Sequence, residues 1–493
     1  MAIGRSTRRG KGSQAAGAAA EPPEEVTDTG ATTAADADGA VDQLVYGLDD
    51  RPPLPAALLA AVQHLLAIFV GIVTPTLILA GPLGLDAATT TYLVSMSLVV
   101  SGVATFIQVR RFGPVGSGLL SIQGTSFAFL GPLGAAGAAL GGGTAALGTL
   151  FGMTFVGSFL QMALSRVMHL LKRVITPIVT GTVVTLIGLS LIGSGMTDAA
   201  GGAAAEDFGS LRNLGLAGLV LATIVLVNRA SNRFLRMSAI VIGLVVGYVV
   251  AAVMGMVDLS GVGDAPVFSV PIPFRYGFDF DLALFIPIAF IFLISAVETT
   301  GDLTATSMVS GQPVKGPTYI RRIKGGVLGD GVNSALAAVL NSFPNTTFSQ
   351  NNGVIQLTGM ASRFVGMILA GMLVLVGLFP IIPAVVTAIP RPVLGGATIV
   401  LFGTVAAAGI KIISTSDDKL DRRDVLILAV SLALGLGVRL VPDALSGLPT
   451  TAATIFSSPI TTGGLAALVL NLVLPRSDGT HGMRPREGGG ATA

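Results

Sequence analysis

Long apolar stretches separated by short polar segments dominate this chain, and they limit the folds open to it. Of its 493 residues, 52% are hydrophobic and 11% are charged, whereas a soluble domain carries about 25% charged residues. A helix needs roughly 20 apolar residues to cross a bilayer. Most of the stretches reach that length, so the sequence predicts an all-α polytopic membrane protein.

Fourteen segments are expected to span the membrane. They lie at about 54–80, 90–109, 116–135, 143–165, 174–194, 214–228, 237–257, 283–301, 325–341, 345–360, 364–380, 383–409, 424–441 and 451–474. Residues 1–50 lack an apolar core and are predicted to form a disordered cytoplasmic tail, without a cleavable signal peptide. Residues 475–493 are predicted to form a second tail.

The basic residues indicate an orientation. Seventeen Lys and Arg side chains fall in loops on one side of the predicted membrane, against four on the other: Arg212, Arg275, Arg391 and Arg439. Basic loops concentrate in the cytoplasm, so both termini are predicted to be cytoplasmic. The net charge of +2 then reflects topology and indicates no nucleic-acid partner. The absence of Cys excludes disulfides and Cys-ligated metals, and no metal site is predicted.

Two short echoes indicate an internal repeat. Gly-Thr-Ser-Phe at 124–127 is echoed by Asn-Thr-Thr-Phe at 345–348, and 175–181 by 390–396. Seven spans per copy is an odd number, so the second copy must be inverted, as in many secondary transporters. The β-branched and aromatic residues of the first echo predict short strands in spans 3 and 10, at 125–128 and 346–349, each followed by a half-helix. We expect these strands to pair antiparallel.

The polar run at 350–359, QNNGVIQLTG, interrupts the apolar pattern. An unsatisfied amide in lipid costs several kcal/mol, so these side chains are expected to face protein or a water-filled cavity. The run resembles the signature of the nucleobase-ascorbate transporter family, (Gln/Glu/Pro)-Asn-x-Gly-x4-Thr-(Gly/Arg/Lys). The form Gln-Asn-Asn-Gly is similar to that of its xanthine and uric acid branch.

The resemblance covers residues 54–474 and implies an architecture. It implies seven plus seven spans, with a core domain of spans 1–4 and 8–11 and a gate domain of spans 5–7 and 12–14. The core then comprises about 54–170 and 283–380, and the gate about 171–282 and 381–474. It also implies a homodimer in the cell membrane.

Two carboxylates stand out in span 8. Glu298 and Asp302 are four residues apart and therefore share one helix face. A carboxylate in the bilayer costs roughly 2.5 to 3.5 kcal/mol or more, so the pair is expected to line a cavity, form ion pairs or carry protons. The alternative for Asp302 is a helix-end position in headgroup water. The resemblance implies that Glu298 binds ring N–H groups of a purine and that Asp302 supports proton coupling.

Three further residues are candidates for a proton or hydrogen-bond network. His64, beside Gln63, is the only His within a span; it is either a structural residue or the runner-up proton carrier. The resemblance implies that this pair ties span 1 to span 8 or span 3. Asp330, between two glycines at the start of span 9, is either a helix cap or the network Asp of the family.

The resemblance also assigns the substrate site. Gln350 matches the residue that hydrogen-bonds the purine's amide edge, to which a carboxamide offers both a donor and an acceptor. Asn351 is expected to hold the turn or the Glu298 network, Gly353 to give clearance, and Thr358 to face the substrate path. Ser349 is a further candidate ligand. Gly359 stands where fungal relatives have Arg, so selectivity tied to that Arg does not transfer.

Phe127 is the aromatic candidate. Its ring is expected to stack on a purine or its backbone N–H to bond one, as in the family, and the alternative is simple packing. The prediction is therefore a proton-coupled symporter that imports xanthine or uric acid by an elevator-type movement, with the proton as coupling ion and no other cofactor. The alternatives are a symporter for uracil or another nucleobase, and an anion exchanger or channel of similar architecture. No nucleophile elbow or phosphate loop supports an enzyme.

Overall fold

The computed structural model describes residues 44–171, 176–203, 205–263, 266–414, 420–449, 452–453 and 456–475. The predicted tails, apart from residues 44–50 and 475, lie outside the described residues. Within them the chain is helical except for two short strands and the connecting loops. The prediction of an all-α fold with two strands is confirmed.

The first half of the chain supplies one strand and the helices of spans 1 to 7. In chain order these are α1 Leu54–Ala80, α2 Ala87–Arg110, β1 Gln123–Thr125, a 3-10 turn Phe127–Phe129, α3 Leu130–Ala139, α4 Gly143–Leu171, α5 Pro177–Ala199, α6 Leu211–Asn228, α7 Arg233–Met237, α8 Ala239–Val253 and α9 Ser260–Gly263. Helix α2 begins where the Asp86 carboxylate caps it by accepting the backbone N–H of Thr89 at 2.7 Å. Hydrogen bonds from the side chain and the backbone of Thr89 lower the pKa of Asp86.

The second half repeats the same order. Its elements are α10 Leu282–Val309, α11 Gly316–Val339, β2 Asn345–Thr347, α12 Gln350–Thr358, α13 Arg363–Leu378, α14 Ile381–Thr387, α15 Arg391–Ser414, α16 Arg422–Leu440, a 3-10 turn Pro442–Leu445 and α17 Pro459–Val473. A long helix pair, a strand with a half-helix, and four further spans occur in both halves. This order is what an internal repeat of seven spans requires.

Each of the fourteen predicted spans contains helix, although some boundaries differ. In the described part of the chain, seven helices are long and apolar enough to cross a membrane alone, or eight if the bent pair α13 and α14 counts as one. Helix α11 begins at Gly316, earlier than the predicted 325, and α15 begins at Arg391, later than the predicted 383. The protein is a multi-pass membrane protein.

The two strands pair antiparallel, which confirms the strand prediction. Gly124 lies opposite Thr346, and the observed strands start two residues and one residue before the predicted ones. Two hydrogen bonds flank the pair, from Ser126 N to Pro344 O at 2.8 Å and from Phe348 N to Ile122 O at 2.9 Å. A two-fold axis that exchanges these bonds makes Ser126 equivalent to Phe348. The sequence echo, which aligned Phe127 with Phe348, is therefore wrong by one residue.

Four pairs of helices pack closely against one another. Helix α5 packs along α15, and α16 packs against α17, all within the predicted gate. Helix α2 packs against α13 and α4 against α11, all within the predicted core. The division into two moving bodies stays a prediction.

The end of the predicted N-terminal tail is tied to the folded part. Val45 N and Tyr46 N both donate to Gly359 O, at 2.8 and 3.0 Å, and Ala361 N donates to Tyr46 O at 3.0 Å. Gly359 ends helix α12 in the left-handed conformation, with φ of 68°, which glycine adopts without strain. Residues 44–50 therefore brace the loop that follows the polar run.

Candidate functional site

A cavity of about 440 Å³ lies where the strand pair and half-helix α12 meet α5 and α15. Its lining brings together six of the predicted site residues: Phe127, Glu298, Asp302, Ser349, Gln350 and Gly353. The facing wall comes from α5 and α15, with Thr180, Val184, Thr404 and Val405 among its residues. The cavity therefore sits between the predicted core and the predicted gate.

The chain is not continuously helical at the cavity. Strand β2 ends at Thr347, and α12 starts three residues later at Gln350. The first N–H groups of a helix have no partner within that helix, and the helix dipole makes this end electropositive. A ligand in the cavity thus meets Ser349 and Gln350 at the half-helix N-terminus, where oxygen acceptors are favoured.

The two carboxylates of α10 face this cavity. Glu298 and Asp302 both line it, as their spacing on one helix face predicted. Glu298 Oε2 is buried and has no hydrogen-bond partner among the described residues. A buried carboxylate oxygen without a donor is costly, so it is suited to accept a proton or the N–H of a ligand. A headgroup-water position for Asp302 does not fit, since this side chain is only 9% exposed.

Asp330 lies behind the cavity wall at the centre of a buried network. It accepts hydrogen bonds from Gln108 Nε2 at 2.6 Å and from Thr347 Oγ1 at 3.4 Å, and also from the Thr299 hydroxyl. These donors come from α2, β2 and α10. Asp330 lies within helix α11, so the helix-cap alternative is wrong. Its carboxylate joins four elements around the strand pair.

Two signature residues lie away from the cavity. The Asn351 amide donates to Leu120 O and is fully buried, so it holds the half-helix against the segment before β1. Thr358 Oγ1 donates to Val354 O at 2.8 Å and does not line the cavity. The expectation that Thr358 faces the substrate path is therefore corrected: its hydroxyl serves the last turn of α12.

The Gln63 and His64 pair also lies outside the lining. His64 is fully buried, and neither ring nitrogen has a hydrogen-bond partner among the described residues. Gln63 is half-buried. In the described structure, His64 makes no hydrogen bond that would tie this pair to span 8 or span 3.

Phe127 combines packing with exposure to the site. Its ring lines the cavity and makes an edge contact with Phe402 of α15, with ring centroids 5.6 Å apart. Such edge contacts fix ring orientation. The ring face that remains is available to a planar ligand, so packing and stacking are compatible here.

Sequence reasoning missed three polar residues, two in the cavity lining and one in the Asp330 network behind it. Gln108 was overlooked because it stands beside Arg110 at the end of a span. Asn352 occupies the unspecified position of the signature, yet it lines the cavity. Lys411 was counted among the loop charges, but it lies in the last turn of α15 and also lines the cavity. A lone Lys among the apolar residues of a continuous predicted helix is the sequence signal that indicates this position in the cavity.

The lining suits a small, flat, polar heterocycle. Two carboxylates accept N–H groups, Gln350 offers a donor and an acceptor, and the Phe127 ring offers an apolar face. In the described part of the chain, no three His, Asp or Glu side chains cluster as a metal site would require.

Comparison with known proteins identifies the family of this chain. Residues 55–444 match the model Xan_ur_permease, described as a Permease family. Xanthine permease XanP of Escherichia coli (strain K12) is 51% identical over 441 residues, which cover 88% of this chain and 95% of that protein. Xanthine permease XanQ of the same strain is 47% identical over 447 residues, 89% of this chain and 96% of that protein. A purine permease of Emericella nidulans is 36% identical over 486 residues, 87% and 83% of the two chains.

Solved structures share the fold at low sequence identity. The transmembrane domain of the cyanobacterial bicarbonate transporter BicA matches with a TM-score of 0.53 and 15% identity, over 87% of this chain and 100% of that one. The murine anion transporter Slc26a9 in the inward-facing state matches with a TM-score of 0.54 and 13% identity, over 91% and 73%. This likeness shows the fold alone.

Proposed function

Because this chain belongs to the nucleobase-ascorbate transporter family of permeases, we propose that it is a secondary transporter that imports xanthine or uric acid. The observation that carries the proposal is the shared cavity of Glu298, Gln350 and Phe127. An oxopurine has ring N–H groups for the carboxylate, an amide edge for the carboxamide and a flat face for the ring. The names of the E. coli relatives support the same substrate class.

Proton coupling is the second part of the proposal. A symporter needs a titratable group whose protonation is linked to ligand binding, and Glu298 and Asp302 supply one in the cavity itself. One charge moving inward down the membrane potential provides about 2.3 kcal/mol per 100 mV, enough for more than tenfold accumulation. The proposed movement is an elevator-type displacement of the core against the gate, with the cavity between them.

The orientation and assembly of the protein also belong to the proposal. We place it in the cell membrane with both termini in the cytoplasm, as a homodimer. The excess of basic residues in one set of loops supports the orientation.

An anion exchanger of the same fold is the competing function. The structural neighbours include anion transporters, and Lys411 adds a cation to the cavity. Two carboxylates in the same cavity repel an anion, however, and an oxopurine bound in its neutral form avoids that cost. The oxopurine therefore suits this lining better.

Uptake by transport-deficient cells that express the chain tests the proposal. Labelled xanthine, uric acid, uracil and ascorbate are supplied separately, with and without a protonophore. We expect saturable uptake of xanthine or uric acid that the protonophore abolishes. Uptake of uracil alone, or accumulation that survives the protonophore and depends on an anion gradient, would contradict the proposal.

A further inference from the structure

Asn352 is buried at the cavity edge and is held by one specific contact. Its side chain is 9% exposed and lines the cavity. Its Oδ1 accepts a hydrogen bond from Thr306 Oγ1 at 2.7 Å. The same hydroxyl also donates to the backbone oxygen of Asp302 at 2.8 Å, so its single proton is shared between the two oxygens. Thr306 thus links the amide of Asn352 to the helix that carries both cavity carboxylates.

This contact decides which half of the amide meets a ligand. A carboxamide has one oxygen acceptor and one NH₂ donor, and here the oxygen is directed at α10. The Nδ2 group donates to no acceptor among the described residues, and it is not among the fully buried unpaired atoms. Because the rest of the side chain is buried, the donor half is the part left for the cavity.

We propose that Asn352 is a specificity-determining residue that donates from Nδ2 to a carbonyl oxygen of the transported oxopurine, and that Thr306 is its positioning residue. The inference rests on the proposed function. Glu298 and Asp302 accept hydrogen bonds when ionised, and Gln350 is able to do either. Asn352 is distinct because its orientation is fixed, so it selects for an acceptor on the ligand.

The arrangement favours a purine with ring carbonyls over an aminopurine. An exocyclic amino group placed at Nδ2 would set donor against donor and leave both without partners. Leaving a buried polar group unpaired costs more than a formed hydrogen bond contributes. The selected chemical class is therefore a dioxopurine or trioxopurine with its carbonyl at this position.

Competition with thio analogues tests the proposal, since sulfur is a weaker hydrogen-bond acceptor than oxygen. Uptake of labelled xanthine is measured against 2-thioxanthine and 6-thioxanthine, and the ratio of each inhibition constant to the KM for xanthine gives the discrimination. In the wild type we expect one of the two positions to show roughly tenfold discrimination, about 1.4 kcal/mol. In Asn352→Ala that ratio should fall to near one while the other ratio stays unchanged.

Two variants of Thr306 test its positioning role. Thr306→Val removes the hydroxyl with little change in shape, and we expect it to lower the same discrimination ratio about threefold. Thr306→Ser keeps the hydroxyl and should restore the wild-type ratio. A purely structural role for Thr306 would change the amount of protein or the maximal rate but would leave the ratio alone.

The outcomes separate this inference from the proposed function. Amounts in the membrane are measured by immunoblot, and Asn352→Asp serves as a second variant, because an ionised carboxylate cannot donate. Wild-type uptake with unchanged discrimination in Asn352→Ala, Asn352→Asp and Thr306→Val overturns the role of Asn352 alone. Absence of purine uptake by the wild type overturns the proposed function and this inference with it.

Discussion

The two half-helices beside the strand pair share a backbone plan but differ in chemistry. The two-fold that relates the strands makes Phe127 equivalent to Ser349 and Ala128 equivalent to Gln350. The first copy continues Phe-Ala-Phe-Leu over 127–130, and the second continues Ser-Gln-Asn-Asn over 349–352. Both copies build the cavity, while the second supplies nearly all of its hydrogen-bonding groups.

The first helices of the two halves differ in the same way. Helix α1 carries Gln63 and His64, which lie outside the cavity lining, whereas α10 carries Glu298 and Asp302, which line it. The fold therefore depends on what the copies share, and the proposed recognition depends on where they diverge. Substitutions at equivalent positions can separate the two contributions.

The largest effect is expected for Glu298→Gln, which removes the charge that only the second copy supplies. Gln keeps the size and part of the hydrogen bonding but cannot titrate. We expect loss of the more than tenfold accumulation that one coupled charge supports, with exchange of internal for external xanthine surviving in part. Accumulation against an imposed pH gradient measures this.

His64→Gln, in the first copy, is the matched control and should still accumulate xanthine. Asp302→Asn should impair coupling, with a smaller effect on ligand selectivity. If Glu298→Gln still concentrates purine in a protonophore-sensitive way, the proton is carried by Asp302, Asp330 or His64.

The next effect is expected at the equivalent positions Gln350 and Ala128. Gln350→Glu loses the donor half of the amide when ionised, and we expect the KM for xanthine to rise roughly tenfold. Ala128 is buried and outside the lining, so Ala128→Ser should change the KM less than about threefold. Equal effects at the two positions would remove the functional difference between the half-helices.

A stability effect without a change in KM is expected for Gln108→Ala. The Gln108 amide donates to Asp330 at 2.6 Å and to Gly326 O at 2.9 Å, and accepts from Ser117 N at 2.9 Å. Removing this amide leaves its buried partners without that hydrogen bond, which costs about 1–3 kcal/mol of folding stability for each unpaired group. The melting temperature of the purified protein should fall clearly.

Gln161→Leu is the control for this stability prediction. Gln161 is equally buried, but neither atom of its amide has a partner among the described residues. Replacing an unpaired buried amide by an apolar group should leave the melting temperature unchanged or raise it. A larger loss for Gln161→Leu than for Gln108→Ala would refute the network.

Helix positions could be predicted where the length of an apolar segment determines them. They were predicted less well where charged residues or prolines interrupt the segment. Helix α11 begins at Gly316, and Arg322 within it is only 9% exposed. Hydropathy assigns such charges to a loop because it cannot see burial against protein. The apolar run before Arg391 is continuous in composition, yet α14 and α15 are separate helices, since Pro390 and Pro392 interrupt the backbone hydrogen bonds.

The site was predictable through the signature, but not which signature residues face the cavity. Positions 349, 350, 352, 353 and 356 line it. Asn351 and Thr358, seven residues apart, fall on another face of the same helix. A helix turns once in 3.6 residues, so this division follows from periodicity once α12 is known to be helical from Gln350. The Thr306 contact of Asn352 depends on how α10 packs, which no local pattern contains.

The smallest effect on transport is expected for a disulfide between the strands, in Thr125→Cys with Asn345→Cys. These residues are paired in the sheet at a non-hydrogen-bonded position, where Cα atoms lie about 4.5 Å apart, within the range of a disulfide. The chain has no native Cys. The Thr125 hydroxyl and the Asn345 amide are buried without partners among the described residues, so their loss should cost little.

Oxidation should cross-link this pair. A protease site is engineered between the two halves of the chain, and after cleavage the cross-link should hold the two fragments together. The diagonal pair Thr125→Cys with Thr347→Cys, about 7–8 Å apart, should cross-link poorly. Because both strands belong to the predicted core, an elevator movement carries them together, and xanthine uptake should stay within about twofold of the reduced protein. Loss of uptake on cross-linking would mean that the strands separate during transport. The two copies would then move against each other, and the core could not travel as one body.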